Sequence, residues 1–219
     1  MYLPSSDILF SCTITLSLTQ LSTLEQQTVS YHLKFISQFT TIAKEHNVRV
    51  IISGGYAVDG ALGVITRPHE DIDVQIYTTS SNGEETIKQL LDILGTKSKL
   101  IEKERSDFYQ YFHLPLNNSF VEFYYLHVTT DPFADEKIVV KKDGTKTDPH
   151  AYNTISATLH GVSFEAQDPV TEFADRIYKR DFRGDPKKKK HEQDIHNLRY
   201  ITEDQEVQKR LDVFLGTRS

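Results

Sequence analysis

The spacing of apolar positions changes along this chain, and each change marks an element. Phe10, Cys12, Ile14, Leu16 and Leu18 alternate with Ser and Thr, a strand period that predicts an added edge strand or a leader over residues 1–20. From Ser22 to Asn47 the period becomes helical: Val29, Leu33, Ile36, Phe39 and Ala43 share a face, and Ser22 and Glu25 stand at capping-box spacing. An apolar run from Val48 to Ile52 enters a Ser53-Gly54-Gly55 turn, a short helix follows over Tyr56–Leu62, and an Asp71-x-Asp73 opens a second apolar run to Tyr77. Glu84–Leu94 reads as a helix bounded by Asn82-Gly83 and Gly95.

Three strand-like runs follow, Ser98–Glu102, Asp107–Leu114 and Phe120–Val128, the last two separated by a turn at Pro115-Leu116-Asn117-Asn118. The polar stretch Asp131–Asp148, with a Lys142-Asp143-Gly144 turn, reads as a mobile hairpin or substrate loop. A hairpin from Thr154 to Glu165 turns at His160-Gly161. Beyond it the pattern is helical: Asp168-Pro169 starts a helix that turns Val170, Phe173, Ile177 and Tyr178 inward, and further helices are expected after Lys187–Lys190 and over Asp204–Leu215. The expectation is an α/β (α+β) fold, a short mixed sheet with flanking helices over residues 1–166 and a helical part over residues 167–219.

The chemistry concentrates between Ile51 and Tyr77. Two glycines after a strand let the backbone approach a phosphate and leave N–H groups free at a helix N-terminus. Asp71 and Asp73, two apart on a strand, share a face and repel each other unless a cation lies between them, and a hard divalent ion such as Mg²⁺ suits an all-oxygen site that also holds phosphates. The polar cluster Thr66-Arg67-Pro68-His69-Glu70 has no reason to precede a buried strand unless it lines a site, and Thr66 and His69 are read as shaping the turn that delivers Asp71. Glu122 stands between Val121 and Phe123 in an aromatic and aliphatic strand, where a charge is costly unless paired or bound to metal. A solvated Gly-Gly turn and Asp-x-Asp loop are each common; their pairing here is what argues for a site.

The string Gly54-Gly55-Tyr56-Ala57-Val58-Asp59, then Gly63, then Thr66-Arg67-x-His69-x-Asp71-Ile72-Asp73 resembles the nucleotidyltransferase signature of the antibiotic-modifying adenylyltransferases, in their aminoglycoside-2″ and lincosamide branch. The match covers about thirty residues and says more about the superfamily than the substrate. The resemblance implies Mg²⁺-dependent transfer of a nucleoside monophosphate, AMP from ATP, to a hydroxyl of a small molecule. It implies Asp71 and Asp73 as metal ligands and Glu122 as a third carboxylate, ligating metal or taking the acceptor's proton, where the family usually carries Asp. Ser53, Gly54 and Gly55 are expected to cradle phosphate. Arg67 and a lysine, Lys190 or Lys189, are expected to neutralise the departing pyrophosphate, the lysine because the family's basic segment precedes a helix patterned like Asp194-Ile195-His196-Asn197-Leu198.

Composition adjusts this picture. The net charge of −6 and pI near 5.8 leave no footprint for gripping nucleic acid non-specifically and favour a cationic small molecule. A tRNA or protein acceptor is the alternative that the lysine run favours and the acidic balance opposes, with Asp131, Asp135 and Glu136 placed to line an acidic acceptor side. A non-catalytic nucleotide-binding module is the other alternative, opposed by the intact Gly-Gly and Asp-x-Asp. One cysteine excludes an internal disulfide framework and points to a reducing cytoplasm; no apolar run is long enough for a membrane span. Oligomeric state is not legible.

Overall fold

Ser22 starts the first helix as its spacing requires: its hydroxyl accepts from the Glu25 amide and the Glu25 carboxylate accepts from Ser22 N at 2.7 Å, which satisfies two amide donors that a helix start otherwise leaves unpaired. This helix, α1 (Thr23–Glu45), buries Val29, Leu33, Ile36 and Phe39 on one face. The structure, a computed structural model, describes residues 21–96, 99–105, 110–116, 118–133, 139–140, 146–147, 153–182 and 189–215. The expected strand or leader at 1–20 with Cys12, the turn at 142–144, Asp135, Glu136, Lys187 and Lys188 lie outside the described residues.

Seven strands form one mixed sheet in the order β3-β4-β5-β2-β1-β9-β8. They are β1 (Arg49–Ser53), β2 (Asp71–Thr78), β3 (Ile101–Arg105), β4 (Gln110–Leu116), β5 (Ser119–His127), β8 (Thr154–Leu159) and β9 (Val162–Gln167); a separate pair, β6 (Val139–Val140) and β7 (Lys146–Thr147), forms its own ribbon. β2 runs parallel to β5 and β1 parallel to β9, while the other pairs are antiparallel. The expected turn at 115–118 is shorter than the sequence suggested. Pro115 and Leu116 continue β4, opposite Phe120 and Ser119, because burying Leu116 in the core outweighs the turn preference of the proline. The hairpin at His160-Gly161 is formed as expected, both residues having positive φ.

Alternation gives the sheet two different faces. Val50, Ile52, Ile72, Val74, Ile76, Val121 and Phe123 point into the main core, where Phe39 of α1 lies against Phe123 with ring centroids 5.3 Å apart. α2 (Gly54–Leu62) and α3 (Gly83–Ile93) cover the same core through Tyr56, Ala57, Ile87 and Leu90. The opposite face carries the polar members of the same strands. The C-terminal helices α4 (Pro169–Asp181), α5 (Lys189–Leu198) and α6 (Asp204–Phe214) gather around a second apolar cluster of Phe173, Ala174, Ile195, Leu198, Val207 and Leu211, which closes on Val58 of α2.

The junction from β9 to α4 is set by Asp168, which accepts from Val170 N at 3.0 Å, Thr171 N at 3.1 Å and Thr171 Oγ1 at 2.5 Å. Pro169 follows at the first helical position, where no amide is needed. This cap fixes the direction in which α4 presents its polar side to the sheet. Asp168→Ala is expected to lower unfolding free energy by about 1–2 kcal/mol, measured by urea denaturation; unchanged stability would show that the junction is held by packing alone.

Candidate active site

The open face of the sheet brings together residues that lie far apart in sequence. Ser53 of β1 pairs with Asp73 of β2, and Asp73 lies opposite Glu122 of β5, so Ser53, Asp73 and Glu122 form a row across three adjacent strands. Asp71 and Asp73 are half-buried members of a strand whose Ile72 and Val74 are fully buried, which places both carboxylates on the same side. Gly54 makes the row possible. Its φ is +70°, a conformation that L side chains rarely adopt, and a Cβ on it would lie 1.9 Å from Asp73 Oδ2. The next glycine is equally constrained, because a Cβ on Gly55 would lie 2.3 Å from His69 Nδ1 and 2.9 Å from Arg67 Nη2.

Asp59 fixes the segment that delivers Asp71. Fully buried on α2, it accepts from Thr66 N at 3.1 Å and Thr66 Oγ1 at 2.6 Å, while its other oxygen lies 2.5 Å from His69 Nε2. Thr66 and His69 therefore shape the turn, as expected, and Asp59 of the same motif is the group they turn around. His32, also fully buried, bridges Tyr56 OH at 2.9 Å and Ser119 Oγ at 2.8 Å. Burial pushes its pKa down to about 4, so it is a neutral structural link between α1, α2 and β5.

The site concentrates negative charge. Burial, with Asp71 and Glu122 beside it, pushes the Asp73 carboxyl from 3.8 up to about 7, while Lys179 and Arg176 pull the other way. A hard divalent cation between Asp71 and Asp73 would relieve that repulsion, and their oxygens fit Mg²⁺. The expected third ligand is engaged otherwise: Tyr111 OH donates to Glu122 Oε1 and Tyr124 OH to Oε2 at 2.9 Å, the two rings stacking with centroids 5.2 Å apart. Among the described residues no three acidic, His or Cys side chains converge as a metal-holding group. Burial, with the charges of Glu122 and Asp73, holds both phenols well above their usual pKa, so they stay protonated donors.

A cavity of about 220 Å³ opens beside this row. Its floor includes Ser53, Gly54, Asp73 and Tyr124, and its wall is the polar side of α4, Glu172, Asp175, Arg176 and Lys179. These four were not read as site residues from the sequence. Their signal is present, since charges at 172, 176 and 179 recur at helical spacing beside the apolar stripe of 170, 173 and 177. Arg176 donates to Asp194 Oδ2 and Asp175 Oδ2, both at 3.2 Å, and its Nη2 lies 3.3 Å from Glu172 Oε2. Lys179 pairs with Asp175 at 2.7 Å.

The cations expected from sequence do not line this cavity, although Arg67 lies beside Gly55. Arg67 Nε and Nη2 each donate to Asp194 at 3.1 Å, a two-pronged pair that ties the loop before β2 to α5, and Arg67 does not line the cavity. Burial opposes the Asp194 charge, but Arg67 and Arg176 outweigh it and hold the carboxyl below its ordinary range. Lys190, half-buried at the start of α5, does not line the cavity either. Asp131 is exposed and accepts from the Phe133 amide at 3.0 Å.

The sequence of residues 36–167 matches the family model of the aminoglycoside-2″-adenylyltransferases. The fold is similar to the solution structure of the antibiotic-resistance factor ANT(2″)-Ia, with TM-score 0.63 and 16% identity over 86% of this chain and 93% of that one. It is also similar to the crystal structure of ANT(2″)-Ia in complex with adenylyl-2″-tobramycin, with TM-score 0.59 and 16% identity over 86% of this chain and 99% of that one. The lincomycin-bound lincosamide antibiotic adenylyltransferase LnuA aligns with TM-score 0.54 and 16% identity over 83% of this chain and 99% of that one. No curated protein matches the chain in sequence.

The buried groups give stability a defined pH dependence. Burial pushes Glu172 from 4.5 up to about 8 as it does Asp73 to about 7, so both stabilise the fold while protonated, and that contribution is lost as pH rises through those values. His32 and His191, both lowered from 6.5 to about 4 first by burial, act oppositely, but only below 6.5. The thermal midpoint is therefore expected to fall between pH 6.5 and about 8, and Asp73→Asn combined with Glu172→Gln to flatten that fall; an equally steep fall in the double variant would assign it to other groups.

Proposed function

Because this chain belongs to the aminoglycoside-2″-adenylyltransferase family and is a nucleotidyltransferase, we propose that it transfers AMP from ATP to a hydroxyl of a small cationic molecule such as an aminoglycoside or lincosamide. The observation that supports this reading is the Ser53–Asp73–Glu122 row with Gly54 packed on Asp73, to which the reading assigns phosphate binding at Ser53 and Gly54, metal binding at Asp73 and proton transfer at Glu122.

The donor triphosphate lies along Ser53, Gly54 and Gly55, its charge met by Arg176 and Lys179 from α4. Asp71 and Asp73 would hold Mg²⁺, which would supply Lewis-acid polarisation of the phosphoryl oxygens. The acceptor hydroxyl oxygen attacks the α-phosphorus and its proton passes to a Glu122 oxygen. The bond from the α-phosphorus to the bridging oxygen breaks, and pyrophosphate leaves. Glu122 is assigned as the base and not as a ligand because its oxygens already bind hydroxyl donors, from Tyr111 and Tyr124, and an acceptor hydroxyl is a donor of the same kind. Arg67 acts through Asp194 in holding α5 against the site. The cavity of about 220 Å³ is below the roughly 300–1,000 Å³ that encloses a drug-sized ligand, so a bulky acceptor is only partly enclosed there. No helix among the described residues is long and apolar enough to cross a membrane, and the single cysteine supports a cytoplasmic setting.

Pyrophosphate release with each nucleoside triphosphate against pooled aminoglycosides and pooled lincosamides tests the reading directly. Activity is expected with ATP, to disappear on chelation of Mg²⁺, and to be lost in Asp73→Asn without loss of thermal stability, since the variant keeps the shape of a carboxyl that is already held near neutrality. Glu122→Gln is expected to lower turnover by roughly 10²–10⁴-fold with nucleotide affinity retained. Wild-type turnover in Asp73→Asn would sink the assignment. Transfer confined to tRNA, with steep salt sensitivity, would replace the small-molecule acceptor.

A further inference from the structure

α2 begins without a cap of its own. Ser53 occupies its N-cap position, yet the Ser53 side chain makes no capping hydrogen bond. The Gly54 amide, the first of the helix, instead donates at 2.7 Å to Glu172 Oε1, a fully buried contact from a helix 118 positions further along the chain. A carboxyl thus already sits on the amide that the proposed donor triphosphate would use.

That carboxyl is incompletely satisfied. Glu172 is 1% exposed, and its Oε2 has no hydrogen-bond partner; Arg176 Nη2, at 3.3 Å, is its ion partner. Buried carboxylates with a settled structural role have both oxygens bonded, as Asp59 and Asp168 do here. The groups around Glu172 also suit a larger anion better than a carboxylate. Gly54 N–H, Arg176 and Lys179 border one cavity, and a phosphate brings more acceptor oxygens and more charge to share among them. Burial pushes the Glu172 carboxyl up to about 8, so near neutral pH it occupies the cradle mainly as the neutral acid and lacks the charge that a polyphosphate would bring.

We infer that the Glu172 carboxyl is an internal occupant of the phosphate cradle, seated on the Gly54 amide until the donor's polyphosphate displaces it. Arg176, one helical turn along α4, remains available as its ion partner after displacement. The inference rests on the donor-binding reading above and adds a consequence to it: polyphosphate affinity is scaled down to the fraction of time the cradle is free of its internal occupant. It also explains why an acidic residue faces a site that must accept a polyanion.

Calorimetric titration of magnesium tripolyphosphate, which has no base or sugar, into the wild type and into Glu172→Gln and Glu172→Ala reads the cradle alone. The Gln variant keeps the size of the side chain and resembles the protonated acid, so it is the one expected to fold without penalty; the Ala variant removes the occupant altogether. The Ala variant is expected to bind tripolyphosphate at least about tenfold more tightly than the wild type, as a site occupied from within at least nine-tenths of the time requires, while the Gln variant, whose amide oxygen still accepts from the Gly54 amide, stays near the wild type. Equal or weaker binding in the Ala variant, shown to be folded by its thermal midpoint, would make Glu172 a fixed pin of the turn and overturn the inference while leaving the transfer reading intact. Absence of tripolyphosphate binding in all three proteins would overturn both.

Discussion

Asp73 is held on one side by a backbone with no side chain and faced on the other by a second carboxylate. Gly54 must be glycine both for its positive φ and because any Cβ would occupy the space of the Asp73 carboxylate. Strand pairing then sets Glu122 opposite Asp73, with no freedom to slip, because a shift of one residue would turn Val121 and Phe123 out of the core. The repulsion that results is the constraint the remaining elements answer. A half-buried acidic row is tolerable only where cations, hydroxyl donors or protons meet it, and here α4 supplies the cations, β4 and β5 supply the tyrosine hydroxyls, and Asp73 itself tends toward protonation.

The basic residues divide into two groups with different work. Arg67 and Arg176 both bind Asp194, so a continuous chain of charge runs from the loop before β2 through α5 and α4 to Glu172 and the Gly54 amide. These ion pairs are buried, where losing one partner leaves a desolvated charge behind at a cost of several kcal/mol. The C-terminal helices are therefore part of the site's frame. They share an apolar cluster with Val58 of α2 and an ion network with the turn that precedes it.

Electrostatics also separates the two ends of the cleft. Arg176 and Lys179 stand on the side of the Gly54 turn. Glu122, toward β4, is met by the hydroxyls of Tyr111 and Tyr124. The two tyrosines orient the carboxylate.

Local periodicity and turn chemistry were enough for much of this. The capping box of α1, the strand–glycine–helix–strand unit around Gly54, the shared face of Asp71 and Asp73 and the hairpin at His160-Gly161 all depend on residues within a few positions of one another, and all are present. The family could be read from the same thirty residues, since they carry the signature. What the chain alone left open depends on contacts across more than a hundred positions. Arg67 looks like a phosphate ligand in sequence and is claimed by Asp194, 127 residues away, because a buried guanidinium takes the nearest matching carboxylate. Glu172 looks like an ordinary first-turn acid of α4, and only the packing of that helix on the sheet delivers it to the Gly54 amide, because which charges meet inside a fold is decided by how its helices are stacked and not by their own sequence.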